Sequence, residues 1–393
     1  MPVDIHGSEE PTRRSIWRDA VAAGIYHTGA LRLLQTFARS YEFKGTTRRR
    51  LLPSRRTDHP KFLILCYHRI GADGIPLFSE LSPNVFEAQM RYVRRRYRVL
   101  SLDDLCDEME KPSRKEDAVV VTFDDGYRDL HTHALPVLRK YQIPATIFLP
   151  VACIETGEVP WYDRIFLALK VFPKDEFEVV LDRPRSFPLT SFRERLQAAA
   201  EIIQYFRTLP DDRRKEYCKT LEGRVNLPLG ELKDRMLTWD QIRAMRREGI
   251  SFGSHTMTHP AVSQLTESQL DTEVGDSKRI LENRIGSSAV HFAYPFGKPA
   301  DCGTAALPFL VRKGYRSAAT TNEGVNKPGD NCFQLRRSQI GNERSISMFA
   351  FKLNQLFLSA GAQDSTVIYS GLAPVLDEPL TKSESQRPGT TNA

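Results

Sequence analysis

Short runs of consecutive apolar residues recur along the middle of the chain, and each stops abruptly at polar residues. The first lies within Lys61 to Tyr67 and closes on His68; the second, Ala118 to Phe123, closes on Asp124-Asp125-Gly126. Others are Ala145 to Leu149, Ile250 to Gly253, Val290 to Tyr294, Tyr315 to Thr320 and a last apolar or basic segment, Phe333 to Ile340. Continuous rather than alternating apolar runs describe strands buried on both faces. Between them lie stretches of helical spacing: Pro83 to Arg95 with Asn84 as a cap, Arg128 to Tyr141, Asp240 to Glu248, Glu267 to Arg284 and Ala305 to Lys313. The capping box Thr238 to Gln241 opens one of these helices and Gly249 stops it. Strand and helix in alternation predict an α/β fold built on a parallel sheet or barrel.

One interval breaks the rhythm. From Glu155 to about Asp234 the chain reads as charged helices (Trp161 to Val171, Ser191 to Thr208, Asp211 to Leu221), a helical insertion over about 155–235 that forms a lid or one wall of a groove. Residues 1–60 form a basic arm in which Ile16, Val21, Ile25, Leu31, Leu34 and Phe37 recur at helical spacing between Ser15 and Ser40, followed by a basic linker, Arg48 to Arg56. That amphipathic segment packs on the main domain or rests on an anionic membrane surface. The main domain spans 61–345, and 346–393 supplies a C-terminal helix and a polar tail that reads as disordered beyond about Pro374.

Charge narrows the choice of partner. The net charge is +7, of which residues 1–61 carry +6, with twelve Lys and Arg against six Asp and Glu. The main domain is thus near neutral, which suits an uncharged substrate and argues against nucleic acid. Six scattered cysteines without a Cys-x-x-Cys pair indicate neither a zinc ribbon nor a disulfide scaffold and fit a reducing compartment. The polar N-terminus lacks the basic start and apolar core of a secretory signal, and no apolar run approaches the roughly 18 residues of a membrane span. The expectation is a cytoplasmic protein, with peripheral membrane contact through residues 15–40 as its variant.

The chemically capable residues fall just after the apolar runs: His68, Asp124 and Asp125, His255 and His259, and the turn Tyr294 to Gly297. In a barrel all such strand ends share one face. Two histidines four apart and a carboxylate at a neighbouring strand end form a facial set of two imidazoles and one carboxylate that leaves positions open for water and substrate. Asp-Asp-Gly alone is also good turn and cap chemistry, so the weight rests on the coincidence of three strand ends.

Thr122-Phe123-Asp124-Asp125-Gly126, Ser254-His255 to His259-Pro260 and Phe292-Ala293-Tyr294-Pro295-Phe296-Gly297, in that order, resemble the motifs of the polysaccharide deacetylase family over roughly residues 60–345. The resemblance implies a distorted β/α barrel and hydrolytic removal of N- or O-linked acetyl groups from sugars. It implies Asp125, His255 and His259 as ligands of a divalent metal, with zinc the first choice, Asp124 as catalytic base and the Phe296 backbone N–H as an oxyanion donor. Tyr294 and Pro295 then border the substrate, and Trp161, opening the insertion, offers an aromatic face to a sugar or serves as a core tryptophan.

Two positions depart from that family. An arginine that holds the catalytic aspartate in many members is here Ala293, and Arg336 or Arg337 is expected to supply the missing cation. The Leu-x-His motif that carries the general acid in many members is absent, and His68 at the end of the first strand is expected to replace it. Competing readings are a hydrolase of other small amides, a catalytically silent glycan-binding module, which the missing arginine favours, and a ferrous oxygenase using the same ligand types.

Overall fold

Eight strands, all parallel, make the main sheet of this computed structural model, which describes residues 59–71, 80–225, 227, 229–232, 234–341, 343 and 345–359. The amphipathic segment 15–40, the linker 48–56 and the tail beyond Pro374 lie outside the described residues.

The chain runs β1 (Phe62–Tyr67), α1 (Pro83–Arg96), β2 (Arg98–Leu100), α2 (Leu102–Glu110), β3 (Ala118–Phe123), α3 (Leu135–Tyr141) and β4 (Ala145–Leu149). It continues through α4 (Val151–Thr156), α5 (Trp161–Val171), β5 (Glu176–Val180), β6 (Pro184–Pro188), α6 (Phe192–Arg207) and α7 (Asp211–Glu222). The remainder is α8 (Trp239–Arg247), β7 (Ile250–Ser254), α9 (Ser277–Ile285), β8 (His291–Ala293), α10 (Ala306–Arg312), β9 (Ser317–Ala319), β10 (Arg337–Gln339) and α11 (Ile346–Ser359). Sheet order is β10-β1-β3-β4-β7-β8-β9, with β2 paired to the first half of β3. A bridge from Ala319 to Leu335, just before β10, brings the two edges together, so the sheet is a nearly closed (β/α) barrel.

Alternation along the strands sorts side chains into two cores. Phe62 and Ile64 of β1, Ala118 and Val120 of β3, Phe148 of β4, Ala293 of β8 and Ala319 of β9 form one cluster, the barrel lumen. Leu102, Leu105 and Met109 of α2 join it and plug one end. The intervening residues Leu63, Leu65, Tyr67, Val119, Val121 and Phe123 pack outward against Phe86, Met90 and Val93 of α1 and the flanking helices. Each fully buried aliphatic or aromatic side chain contributes roughly 1.5–3 kcal/mol. The same parity carries inward-facing polar groups at the far ends of the strands, where the site forms.

Several details differ from the sequence reading. The insertion is not purely helical: β5 and β6 pair as an antiparallel hairpin, with Phe177 opposite Phe187 and both buried against α5 and α6. Charged residues between the apolar ones, and prolines at both ends of β6, hide that pairing in the sequence. Ser82, not Asn84, caps α1, because its hydroxyl accepts the Val85 N–H. Helices read as continuous contain π-helical turns, Leu130–Ala134 before α3 and Asp271–Asp276 before α9.

Candidate active site

Asp124 and Asp125 leave β3 by a turn that only particular residues tolerate. Asp125 and Gly126 both have φ of 71°, in the left-handed region, and a Cβ on Gly126 would come within 2.5 Å of Leu149 Cδ2. Six non-glycine residues among those described have positive φ, and four of them, Asp125, Thr256, His259 and Phe296, lie in the motif loops. Each such residue costs about 1–3 kcal/mol, strain that persists only where surrounding contacts over-determine it.

Asp125, His255 and His259 converge. His259 Nε2 and His255 Nε2 lie 3.4 and 3.7 Å from Asp125 Oδ1, and the three ligating atoms sit within 4.8 Å of one another. His255 Nδ1 lies 2.7 Å from the Ala293 carbonyl and donates to it, which turns the Nε2 lone pair toward Asp125. Burial and then the neighbouring Asp124 push the Asp125 carboxyl up, while burial and then His255 push His259 well down. Asp125 Oδ1 and His259 Nδ1 are buried without a hydrogen-bond partner among the described residues. Two imidazole nitrogens and one carboxylate, whose Oδ1 is buried without a hydrogen-bond partner, fit a divalent cation.

Asp124 has different company. Arg337, 0% exposed and in register with Ile64 of β1, reaches past β1 and donates to Asp124 Oδ1 and Oδ2 at 2.7 Å each. The guanidinium is itself fixed by the Thr320 carbonyl at 2.8 Å and lies over the Phe148 ring. Burial works to raise Asp124, but Arg337 and His255 outweigh it and hold the carboxyl below its usual range. Arg336 is excluded by strand parity: it is exposed, and its backbone pairs with Asn326 instead. Cys66, inward-facing on β1, places its thiol 3.5 Å from Asp124 Oδ2, and His68 completes a cluster whose ligand atoms lie within 4.8 Å of each other. Burial, Arg337 and His255 together lower the His68 pKa to about 4, against the pull of Asp124.

The third motif meets the insertion at this face. Phe296 rests edge-on against His259, 5.0 Å between ring centres, and its carbonyl accepts the Thr321 hydroxyl at 2.5 Å. Its backbone N–H takes no acceptor among the described residues. Trp161 is only 7% exposed; its indole N–H donates to the His259 carbonyl at 3.0 Å, and its ring packs on Phe206 and under the Arg214 guanidinium. It therefore supports a site loop and presents no open face to a sugar. Tyr294, 3% exposed and bonded through its hydroxyl to the Phe333 carbonyl, is likewise a packing residue, and Pro295 beside it is buried. Sequence reasoning passed over Tyr127, whose hydroxyl donates to Asp163 Oδ2 at 2.7 Å, and over Cys66 and Glu273. Trp161-Tyr162-Asp163 at the mouth of the insertion was the available signal for the first of these.

The chain is similar in sequence to polysaccharide deacetylases. Residues 111–178 and 199–312 match the family model described as polysaccharide deacetylase. A Bacillus subtilis strain 168 protein named "Putative polysaccharide deacetylase YxkH" is 24% identical over 299 residues, covering 75% of this chain and 77% of its own. The structure of the Streptococcus pyogenes deacetylase PplD in complex with acetate aligns with a TM-score of 0.50 at 21% identity, over 75% of this chain and 98% of that one. A polysaccharide deacetylase from Bacillus cereus aligns at 0.48 and 20% identity, over 75% and 69% of the two chains.

Proposed function

The chain belongs to the polysaccharide deacetylase family, and from that premise we propose that it is a metal-dependent hydrolase releasing acetate from N-acetylated amino sugars of a polysaccharide, oligosaccharide or glycan precursor. One observation carries this reading: adjacent carboxylates on one strand end have opposite partners, Asp125 with two imidazoles and Asp124 with a buried arginine. A glycan-binding module would gain nothing from that division, and Arg337 removes the reason for suspecting one.

Asp125, His255 and His259 would hold the cation, with zinc the first choice. Bound there, a divalent metal supplies Lewis acidity and lowers the pKa of water, so that a weak base suffices. Asp124 stays ionised at neutral pH because of Arg337, and it accepts the water proton as the acetyl carbonyl is attacked. The Phe296 N–H donates to the oxygen that becomes negative in the tetrahedral intermediate. Protonation of the leaving nitrogen falls to His68. Its pKa near 4 makes the imidazolium a strong acid that is rare in the resting site, so the proton it delivers is one received during turnover from the Asp124 cluster. Products are acetate and a free amine.

The test is acetate release from a panel of N-acetylglucosamine oligomers and bacterial exopolysaccharides. Acetate from at least one member, matched by new amines, is expected; ammonia or a different acid from small amides with no acetate from any glycan would overturn the assignment.

A further inference from the structure

The loop that carries His255 and His259 is strained, and its restraints are unequal. Thr256 and His259 have φ of 67° and 60°, so the loop holds two left-handed non-glycine residues within four positions. Its carbonyls are taken on one side by the first N–H groups of α4, Val151 to Thr256 O at 3.0 Å and Ala152 to Met257 O at 2.9 Å. Its N–H groups at Met257 and Thr258 point the opposite way, and both donate to a single oxygen, Glu273 Oε2, at 2.9 Å each. The Thr258 hydroxyl donates to Glu273 Oε1 at 2.7 Å, so one carboxylate fixes the middle of the loop through three hydrogen bonds.

Glu273 is 2% exposed and, among the described residues, forms no ion pair within 4 Å that would justify burying a carboxylate there. It lies in the π-helical turn Asp271–Asp276, the one irregular turn of the helix preceding β8. A π turn inserts a residue into the helical repeat and re-aims the side chains on it, a device frequent at functional sites. Hydrogen bonds to a charged, buried acceptor are worth about twice those between neutral groups, which suits a carboxylate whose task is to offset loop strain.

We propose that Glu273 is the positioning residue of the metal centre, fixing the separation of His255 and His259 by accepting the Met257 and Thr258 N–H groups. It touches neither cation nor substrate and acts only through the loop. The inference rests on the reading of Asp125, His255 and His259 as ligands.

Cobalt(II) added to metal-stripped full-length protein tests it, with affinity measured by chelator competition and ligand geometry by visible absorption. Glu273→Ala should bind Co²⁺ about 10–100-fold more weakly, with an altered spectrum and a kcat loss larger than any change in KM. Glu273→Gln, whose amide oxygen still accepts both N–H groups, should recover most of the affinity. Glu273→Asp retracts the carboxylate by about 1.5 Å and should lose several-fold; it decides the matter if the alanine variant does not fold. Wild-type Co²⁺ affinity and spectrum in Glu273→Ala or Glu273→Asp, or a glutamine variant as weak as alanine, would overturn the proposal. His255→Ala separates the two ideas: unchanged Co²⁺ binding there sinks the metal-centre reading itself, whereas a loss confined to His255→Ala sinks only the role of Glu273.

Discussion

Replacing Arg337 by methionine removes the cation that compensates Asp124 while keeping much of the apolar volume in the lumen. The pair is bidentate, 2.7 Å on each oxygen, with side chains 0% and 3% exposed, so water cannot substitute for the guanidinium. Two charge-assisted hydrogen bonds vanish and a buried charge is left behind, a loss that typically costs about 3–5 kcal/mol. The pH dependence also changes sign. In the wild type Asp124 titrates below its unfolded pKa, so its contribution is complete above roughly pH 4 and fades as pH falls through the folded value. Without Arg337 the upward push of burial is opposed mainly by His255 and His68; the carboxyl rises, and its stabilising contribution is then lost as pH rises through its new value. Urea denaturation of wild type, Arg337→Met, Asp124→Asn and the double variant gives the coupling directly. Removing both charges should recover much of the single-variant loss, for a coupling of about 2 kcal/mol or more. Turnover of Arg337→Met at neutral pH should fall at least about a hundredfold, because a protonated Asp124 accepts nothing. Additive effects within about 0.5 kcal/mol, or wild-type turnover, would refute the reasoning.

The two aspartates should separate cleanly: Asp124→Asn is expected to lose turnover by about 10²–10⁴-fold with metal content unchanged, whereas Asp125→Asn should lose metal, read by elemental analysis after dialysis. His68→Asn should lower kcat while leaving metal bound. Since the folded pKa of His68 lies near 4, below its unfolded value, wild-type stability is complete above about pH 6.5 and declines toward pH 4, and this variant should decline less over that window in thermal melts. Trp161→Phe keeps the ring but deletes the donor to the His259 carbonyl; it should cost about 1 kcal/mol and weaken metal binding several-fold, measured by chelator competition, while Trp161→Ala should be worse in both.

The strand ends were legible because buried parallel strands announce themselves as unbroken apolar runs, and the residues that follow them have no packing reason to be His or Asp. Asp124, Asp125, His255, His259 and His68 all come to one face on that basis. The choice between Arg336 and Arg337 was not legible, since period-two alternation says that one of them points inward but a three-residue strand does not say which; register with Ile64 decides it. Trp161 stayed open between a stacking platform and a core tryptophan, because an aromatic beside a glycan site suits both, and its burial and its bond to His259 decide for the second. Glu273 was invisible for a similar reason. One acid in an amphipathic helix reads as a solvated residue until a π turn, which leaves no mark in the residue pattern, turns it toward the loop. The hairpin of the insertion escaped because its strands are short and charged, with pairing supplied by Phe177 and Phe187 across the turn.

Metal-dependent deacetylation through Asp125, His255 and His259 is the proposal on which the rest depends. Its most direct test is to follow amine appearance on an N-acetylated glycan substrate while metal is removed by a strong chelator and then restored. Hydrolysis is expected to stop with the metal, to return on addition of about one equivalent of a divalent cation, and not to return in Asp125→Asn. Hydrolysis that continues in thoroughly metal-free protein would contradict the proposal.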